Sequence, residues 1–355
     1  MPAAPAYASP AAGRHSSGDG RHSRRARRIL LALGLTLMLV ASLATTGGIV
    51  LLRRYDSAVG TASLLDPGAR ADQGSEHATI TGPLNFLLIG SDLRVSNPNA
   101  GQRSDTMIIA HVTRNLDRVY LVSIPRDLLV DIPAVPARNF YGQRTKINAA
   151  FDFGGGGPGG VQLLSQTLTA LTGIRFDGAA VIEFSGLRRA VDVLGGVNMC
   201  LDAKVTSIHT GKVFTPGCRL MNSADVLDFL RQRYGVEEGD FGRQKHQQQF
   251  LKSFLSRAMS AGLVSNPIKL DTLLRAVGSA LTLDTGDYSL ADLAFGLRNI
   301  SPNNLTGIKV PTYYDMWGDQ SVVVPTEEAT SLFTAVRQDK LESWVRGHKQ
   351  WVNAI

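Results

Sequence analysis

The chain has 355 residues, 44% of them hydrophobic and 19% charged, with a formal net charge of +7. That length accommodates about two ordinary domains and a large buried core, and the composition excludes an intrinsically disordered chain. The charge invites a nucleic-acid reading, but residues 1–54 hold eight Arg against one acid, Asp19, so that 29 basic and 29 acidic residues remain beyond them; a neutral remainder is not a general nucleic-acid binder.

Residues 1–28, rich in Ala, Pro, Gly, Ser and Arg, read as a disordered basic tail. Ile29 to Leu52 follows, 24 residues without a charge. At ~1.5 Å per helical residue it spans a ~30 Å hydrocarbon layer. Six Arg precede it, and Arg53 and Arg54 follow. The positive-inside rule then places the tail in the cytoplasm and residues 53–355 outside, a single-pass protein of the cell membrane. A cleaved signal peptide is the rival reading, since Ala41 to Gly48 is small enough for a peptidase; the long apolar run favours an uncleaved anchor. Residues 53–82 carry turn formers and weak periodicity and read as a linker.

From Leu84 the pattern changes. Leu84 to Ile89, Met107 to Thr113 and Val119 to Ile124 read as strands. A helix over 160–172, a strand over Ala179 to Phe184, a helix over Ser185 to Leu194 and a strand over Val197 to Leu201 follow. Ser223 is expected to cap a helix running through Arg233, with Asp225 in its first turn. A long helix is expected from about Phe241 to Met259, then helices near 268–280, 289–299 and 326–347, and strands at Leu305 to Val310 and Ser321 to Val324. This alternation predicts one outer α/β domain over residues 83–348, a central mixed sheet flanked by helices. Outside the cell, Cys200 and Cys218, 18 apart, are expected to form a disulfide.

The chemistry-bearing residues gather at strand ends, where open α/β sheets place ligands. Gly90-Ser91-Asp92 ends the first strand, Arg103-Ser104-Asp105-Thr106 precedes the second, and Ser123-Ile124-Pro125-Arg126-Asp127 ends the third. Any one of these Asp or Arg would pass as a loop residue. A second cluster is Arg231-Gln232-Arg233, Asp240-Phe241-Gly242-Arg243 and His246-Gln247-Gln248-Gln249. Arg243 and Gln247 are four apart and share a helix face. Arg231 and Arg233 cannot share a face of an ideal helix, but a helix ending between or just after them aims both at one place. Such an arginine fork suits phosphate oxygens, against the plainer reading of a solvated basic helix end. The glycine run 154–157 with Pro158, Gly159 and Gly160 reads as a loop before a helix. A P-loop, a G-x-S-x-G serine and an H-E-x-x-H metal motif are all absent from the sequence.

These blocks, with Lys146-Ile147-Asn148-Ala149 and Val191-Asp192-Val193-Leu194-Gly195-Gly196-Val197, resemble the LytR–CpsA–Psr family over about residues 84–260, and the tail to about 345 is similar to the family's closing elements. The resemblance implies a cytoplasmic tail, one span and an outer domain that moves a glycopolymer from a polyprenyl-pyrophosphate carrier to peptidoglycan, with Mg²⁺ (or Mn²⁺) assisting. By position, Asp92 and Asp105 match the family's metal-binding acids. Arg103, Arg126, Arg231, Arg233, Arg243 and Gln247 match its pyrophosphate-contacting set, to which Lys146 is added as a nearby cation. Arg126 and Arg243 are the expected catalytic cations, and Asp127 and Asp240 the candidates for a base or for orienting them. The family often has Arg where this chain has His246, so His246 is left outside the site. The expected partners are the lipid-linked donor, peptidoglycan and the membrane, without nucleic acid. A membrane-anchored polyprenyl-phosphate-binding or regulatory protein, and a polyprenyl-pyrophosphate hydrolase, remain as competing readings.

Overall fold

A computed structural model describes residues 58–72, 80–91, 104–263 and 266–355. The expected tail and membrane span lie outside the described residues, as do Asp92 and Arg103. Among the described residues no helix is long and apolar enough to cross a membrane.

In chain order the strands are β1 (Gly60–Thr61), β2 (Leu84–Ser91), β3 (Ser104–Val112), β4 (Val119–Ser123), β5 (Leu129–Ile132), β6 (Gln143–Lys146), β7 (Gly178–Glu183), β8 (Val197–Leu201), β9 (Val205–Thr206), β10 (Val213–Phe214), β11 (Gly217–Met221), β12 (Leu281–Asp284), β13 (Leu305–Lys309), β14 (Thr312–Trp317), β15 (Gln320–Pro325) and β16 (Val352–Asn353). The helices are α1 (Ala149–Phe153), α2 (Gly157–Thr172), α3 (Phe184–Val193), α4 (Ser223–Arg231), α5 (Asp240–Ser260), α6 (Pro267–Val277), α7 (Leu290–Gly296), α8 (Glu327–Arg337) and α9 (Leu341–Gly347).

Eight of the described strands form one mixed sheet in the order β1-β12-β7-β2-β3-β4-β13-β16. β7 is parallel to β2, and β13 to β4, while β3 runs antiparallel between β2 and β4. Four strands therefore point the same way, and their carboxyl ends meet the start of β3 at one edge of the sheet. Side chains alternate across the layer, as strand geometry requires. Leu87, Ile89, Met107, Ile109 and Val122 face one core, with Val161, Leu164 and Leu168 of α2 and Leu332 and Val336 of α8. Leu84, Ile108, Ala110 and Leu121 face the other, against Leu251 and Leu255 of α5 and Leu293 of α7. A third cluster joins α3, β8, α4, α5 and α6.

Several expectations are corrected. Residues 58–72, within the stretch expected to be a linker, are folded: Leu64 and Leu65 are buried in the main core, and their amides donate to Asp284 Oδ2 at 2.7 and 3.1 Å. Asn222, not Ser223, caps α4, its side chain accepting from the Asp225 amide, and the helix stops at Arg231 because Gln232 turns to an extended conformation (ψ 130°). The helix expected over 326–347 is two, broken at Asp339, whose φ is +54°. The 268–280 helix ends earlier, at Val277. Beyond the expected elements, β14 was missed, although Gly318-Asp319 between its end and β15 is a two-residue hairpin loop with Gly318 at φ +63°. Cys200 and Cys218 are bonded, and they face each other directly across the antiparallel β8–β11 pair.

Candidate active site

The edge where β2 and β7 end and β3 begins carries a cavity of about 440 Å³. Its polarity runs along its elements. On α5, Arg243 and Gln247 in the first turns give way to Phe250, Leu251 and Phe254. On α4, Leu227 and Leu230 precede the terminal Arg231. Leu88 of β2 and Ala180 and Ile182 of β7 lie toward the sheet interior, Gly90 and Phe184 toward its edge. The result is an apolar interior with a guanidinium-lined mouth, suited to an amphiphile with an anionic head.

At the mouth Arg126 sits among three carboxylates. Its Nη1 donates to Asp105 Oδ1 at 2.8 Å, and its Nε lies 3.6 Å from Asp127 and 3.5 Å from Asp240. Arg243 Nη2 lies 2.8 Å from Asp240 Oδ1 and donates to the Asp105 carbonyl oxygen at 2.8 Å. Lys146 Nζ is 2.9 Å from Asp127. Burial pulls the Arg126 guanidinium down, but Asp105, Asp127 and Asp240 together push it net upward. For Arg243 burial wins, and the guanidinium is held below its usual range. The Nε–H groups of both arginines are buried without a hydrogen-bond partner. Buried donors of this kind call for an acceptor; Arg126 Nε has the Asp127 and Asp240 carboxylates at 3.6 and 3.5 Å, whereas for Arg243 Nε an oxyanion at the mouth would supply one.

Arg231 and Arg233 both line the cavity because α4 ends between them. The side chain of Gln232 holds that end. Fully buried, its Nε2 donates to Asp228 Oδ1 at 2.7 Å and to Ser207 Oγ at 2.9 Å, while its Oε1 accepts from the Ile208 amide at 3.1 Å. Asp228 in turn accepts from Ser207 Oγ and Thr210 Oγ1, each at 2.6 Å. The sequence reading passed over this clamp; its one signal was a polar residue between two arginines. Arg231 also lies over the Phe184 ring, 5.2 Å from its centroid.

Of the expected site residues, Asp105, Arg126, Arg231, Arg233, Arg243 and Gln247 line one cavity, and Asp127, Asp240 and Lys146 join them through ion pairs. His246 faces away, against the Phe229 ring (centroids 4.2 Å apart) and a separate recess with Asp202, Lys245 and Lys309. Burial first, then Lys245, lowers its pKa to about 4, with Asp202 opposing. Asp127 and Asp240 themselves line a small recess of about 30 Å³, together with Pro125, Phe241, Tyr314 and Val323. Loss of water, then Asp240, Glu238 and Asp127, raises the Tyr314 hydroxyl.

The profile of the LytR_cpsA_psr family matches residues 51–338. The chain is 32% identical over 232 residues to the probable cell wall biosynthesis protein LcpB of Corynebacterium glutamicum, covering 61% of this chain and 53% of LcpB. It is 29% identical to the polyisoprenyl-teichoic acid–peptidoglycan teichoic acid transferase TagU of Enterococcus faecalis, covering 61% of this chain and 66% of TagU. The match thus spans between about half and two thirds of these relatives' length. The crystal structure of protein gbs0355 from Streptococcus agalactiae superposes with a TM-score of 0.63 at 21% identity, over 73% of this chain and 88% of that one, a likeness of fold.

Proposed function

This chain belongs to the LytR–CpsA–Psr family, and from that premise we propose that it is a phosphotransferase that moves a glycopolymer from a polyprenyl-pyrophosphate carrier onto peptidoglycan, outside the cell membrane. The observation that carries the reading is the cavity: an apolar interior for an isoprenoid tail, ending among Arg126, Arg231, Arg233 and Arg243. TagU, named as a polyisoprenyl-teichoic acid–peptidoglycan teichoic acid transferase, has an activity of this kind. Residues 1–28 serve as the cytoplasmic tail and 29–52 as the anchor.

In the proposed reaction a peptidoglycan hydroxyl oxygen bonds to the phosphorus that carries the glycan. The bond from that phosphorus to the bridging oxygen breaks, and the bridging oxygen leaves with polyprenyl phosphate. The hydroxyl proton passes to Asp127 or Asp240. Such a transfer needs positioning and charge neutralisation more than covalent help from the protein. Arg126 and Arg243 provide both, since each is fixed by carboxylates before substrate arrives. Arg103, Arg231, Arg233, Lys146 and Gln247 complete the phosphate-binding set.

A divalent cation fits the donor chemistry of the mouth. Asp105 opens onto the cavity as a hard oxygen ligand, and among the described residues no cluster of three or more His, Cys, Asp or Glu side chains forms a protein-only cage. Mg²⁺ commonly binds through one or two carboxylates plus substrate phosphates; Asp105 and Asp92 would hold it, and it would add charge neutralisation at the pyrophosphate.

Arg126→Ala and Arg243→Ala in the full chain are expected to lower transfer by about 10³-fold, with the fold checked by thermal melting. Undiminished transfer by both variants would sink the assignment. Product analysis separates the competing readings: polymer joined to peptidoglycan through phosphate marks transfer, free polymer phosphate marks hydrolysis, and an unconsumed donor marks binding alone.

A further inference from the structure

The β14–β15 hairpin leaves four large side chains in solvent, Tyr313, Tyr314, Met316 and Trp317, with exposures of 51, 66, 58 and 47%. Exposed apolar area of this density marks an interaction surface. The hairpin is docked on the candidate site, not remote from it. The Val323 amide of β15 donates to the Asp127 carbonyl oxygen at 3.0 Å. The Tyr314 ring meets Phe241, the residue after Asp240, edge to face with centroids 6.2 Å apart. Strand alternation puts Tyr314 and Met316 on one face, and Tyr313 and Trp317 on the other, where Arg144 covers Trp317 at 5.4 Å.

Asp127 and Asp240 line a small recess and reach the donor cavity through their ion pairs with Arg126 and Arg243. Arg126 and Arg243 line that cavity, and Tyr314 lines the recess. At about 30 Å³ that recess has room for one water-sized group. Phosphoryl transfer places the attacking and leaving oxygens roughly in line. A lipid phosphate leaving into the apolar cavity thus requires the acceptor to enter from a separate space, and the recess, which borders the same carboxylates and shares no lining residue with the cavity, is such a space. An aromatic ring with a hydroxyl handle offers a sugar what its two surfaces ask for, an apolar face and a polar rim.

We propose that Tyr314, with Met316 beside it, is the platform on which an acceptor glycan lies, and that the recess between Tyr314 and the Asp127–Asp240 pair receives its attacking hydroxyl. The occupant is the β-1,4-linked N-acetylhexosamine strand of peptidoglycan. The assignment rests on the transferase reading for its acceptor, but its binding test does not.

The test uses the full chain in detergent and a soluble glycan-strand tetrasaccharide, with binding measured by calorimetry and transfer measured alongside. Tyr314→Ala is expected to weaken glycan binding and raise the acceptor KM by about tenfold or more, the loss typical of a truncated aromatic anchor. Binding of polyprenyl pyrophosphate stays unchanged in that variant. Tyr314→Phe, which keeps the ring, restores most of the loss, and Trp317→Ala on the opposite face leaves glycan binding within about twofold of the parent. The proposal is overturned if the parent chain does not bind the glycan, if Tyr314→Ala binds it normally, if Trp317→Ala loses as much, or if Tyr314→Ala loses the donor. Tyr314-dependent partition onto lipid vesicles with glycan binding intact would assign the hairpin to the membrane instead. Glycan binding as expected without any transfer would fell the transferase reading and leave this subsite standing.

Discussion

Three carboxylates, Asp105, Asp127 and Asp240, face three cations, Arg126, Arg243 and Lys146, so the inner charge set balances before substrate arrives. On the proposed reading, the net attraction that the described side chains offer a pyrophosphate comes from Arg231 and Arg233, which line the cavity and have no carboxylate paired with them among the described ion pairs. This divides the arginines by role. Arg231→Ala with Arg233→Ala is expected to weaken donor binding and flatten its salt dependence while sparing kcat, in a titration at two ionic strengths. Arg126→Lys keeps the charge but not the planar fork, and is expected to lower kcat by about 10²-fold. His246 belongs to stability and not to this set. Its folded pKa of about 4 lies below the ordinary 6.5, so the unfolded chain binds the proton first as pH falls. Stability is then full above pH 6.5 and drains away between there and pH 4. At pH 5 the deficit is about 2 kcal/mol, and denaturation of His246→Gln at pH 7 and pH 5 should show it removed. All the catalytic candidates within the described residues were readable as residue types. Their placement was not: nothing in the order Arg231-Gln232-Arg233 tells that the middle residue is the buried clamp and the outer two line the cavity.

Beside its apolar packing, helix α5 is tied to the sheet by one buried amide. Gln248 Nε2 donates to the carbonyl oxygens of Leu121 and Ile308, each at 2.9 Å, and to Ser123 Oγ at 2.8 Å, while its Oε1 accepts from Asn353 Nδ2 at 2.7 Å. One side chain thus ties α5 to β4, β13 and β16. Gly307 permits it, since a Cβ there would collide with the Gln248 amide. With that face clamped to the sheet, Gln247 and Arg243 are turned into the cavity. Gln248→Leu leaves buried acceptors unpaired and is expected to cost about 1–3 kcal/mol in denaturant unfolding, with kcat falling as Arg243 loses its aim; a kcat equal to the parent's would refute the coupling. Elements with strong period were legible in the sequence. The strands β2, β3 and β4 and the helix α5 fall within a few residues of their expected bounds. What escaped was set by partners distant in sequence. Residues 58–72 have little periodicity, yet Asp284 captures their amides. The β14 run Thr-Tyr-Tyr-Asp-Met-Trp has no buried face to impose alternation, so period gave no signal there.

The sheet order makes a site of segments far apart in sequence. Because β3 runs antiparallel between β2 and β4, the start of one strand and the ends of two others share an edge, bringing Asp105 beside Arg126. The net charge of +7 misleads at this scale, since all of it lies in residues 1–54 and residues 55–355 balance to zero; on the proposed reading, attraction to the donor is local to the mouth. The apolar half of the site was the least legible. Leu88, Ile108, Ile182, Leu230 and Phe250 have the sequence appearance of core, and only the spacing of α5 and α4 from the sheet opens a cavity among them. That spacing carries a consequence for binding. Burying apolar carbon stabilises by about 0.8 kcal/mol per methylene, so isoprenoid pyrophosphates of one to four isoprene units should bind more tightly with each unit that enters, by about tenfold or more per unit. A cavity of about 440 Å³ fills, and further units then add nothing. The tail-length gain should be indifferent to salt, whereas the step from monophosphate to pyrophosphate should shrink as salt rises, because only the mouth is charged. A length series measured by calorimetry at two salt concentrations separates the two ends of the site. An affinity independent of tail length would mean that the cavity does not hold the lipid.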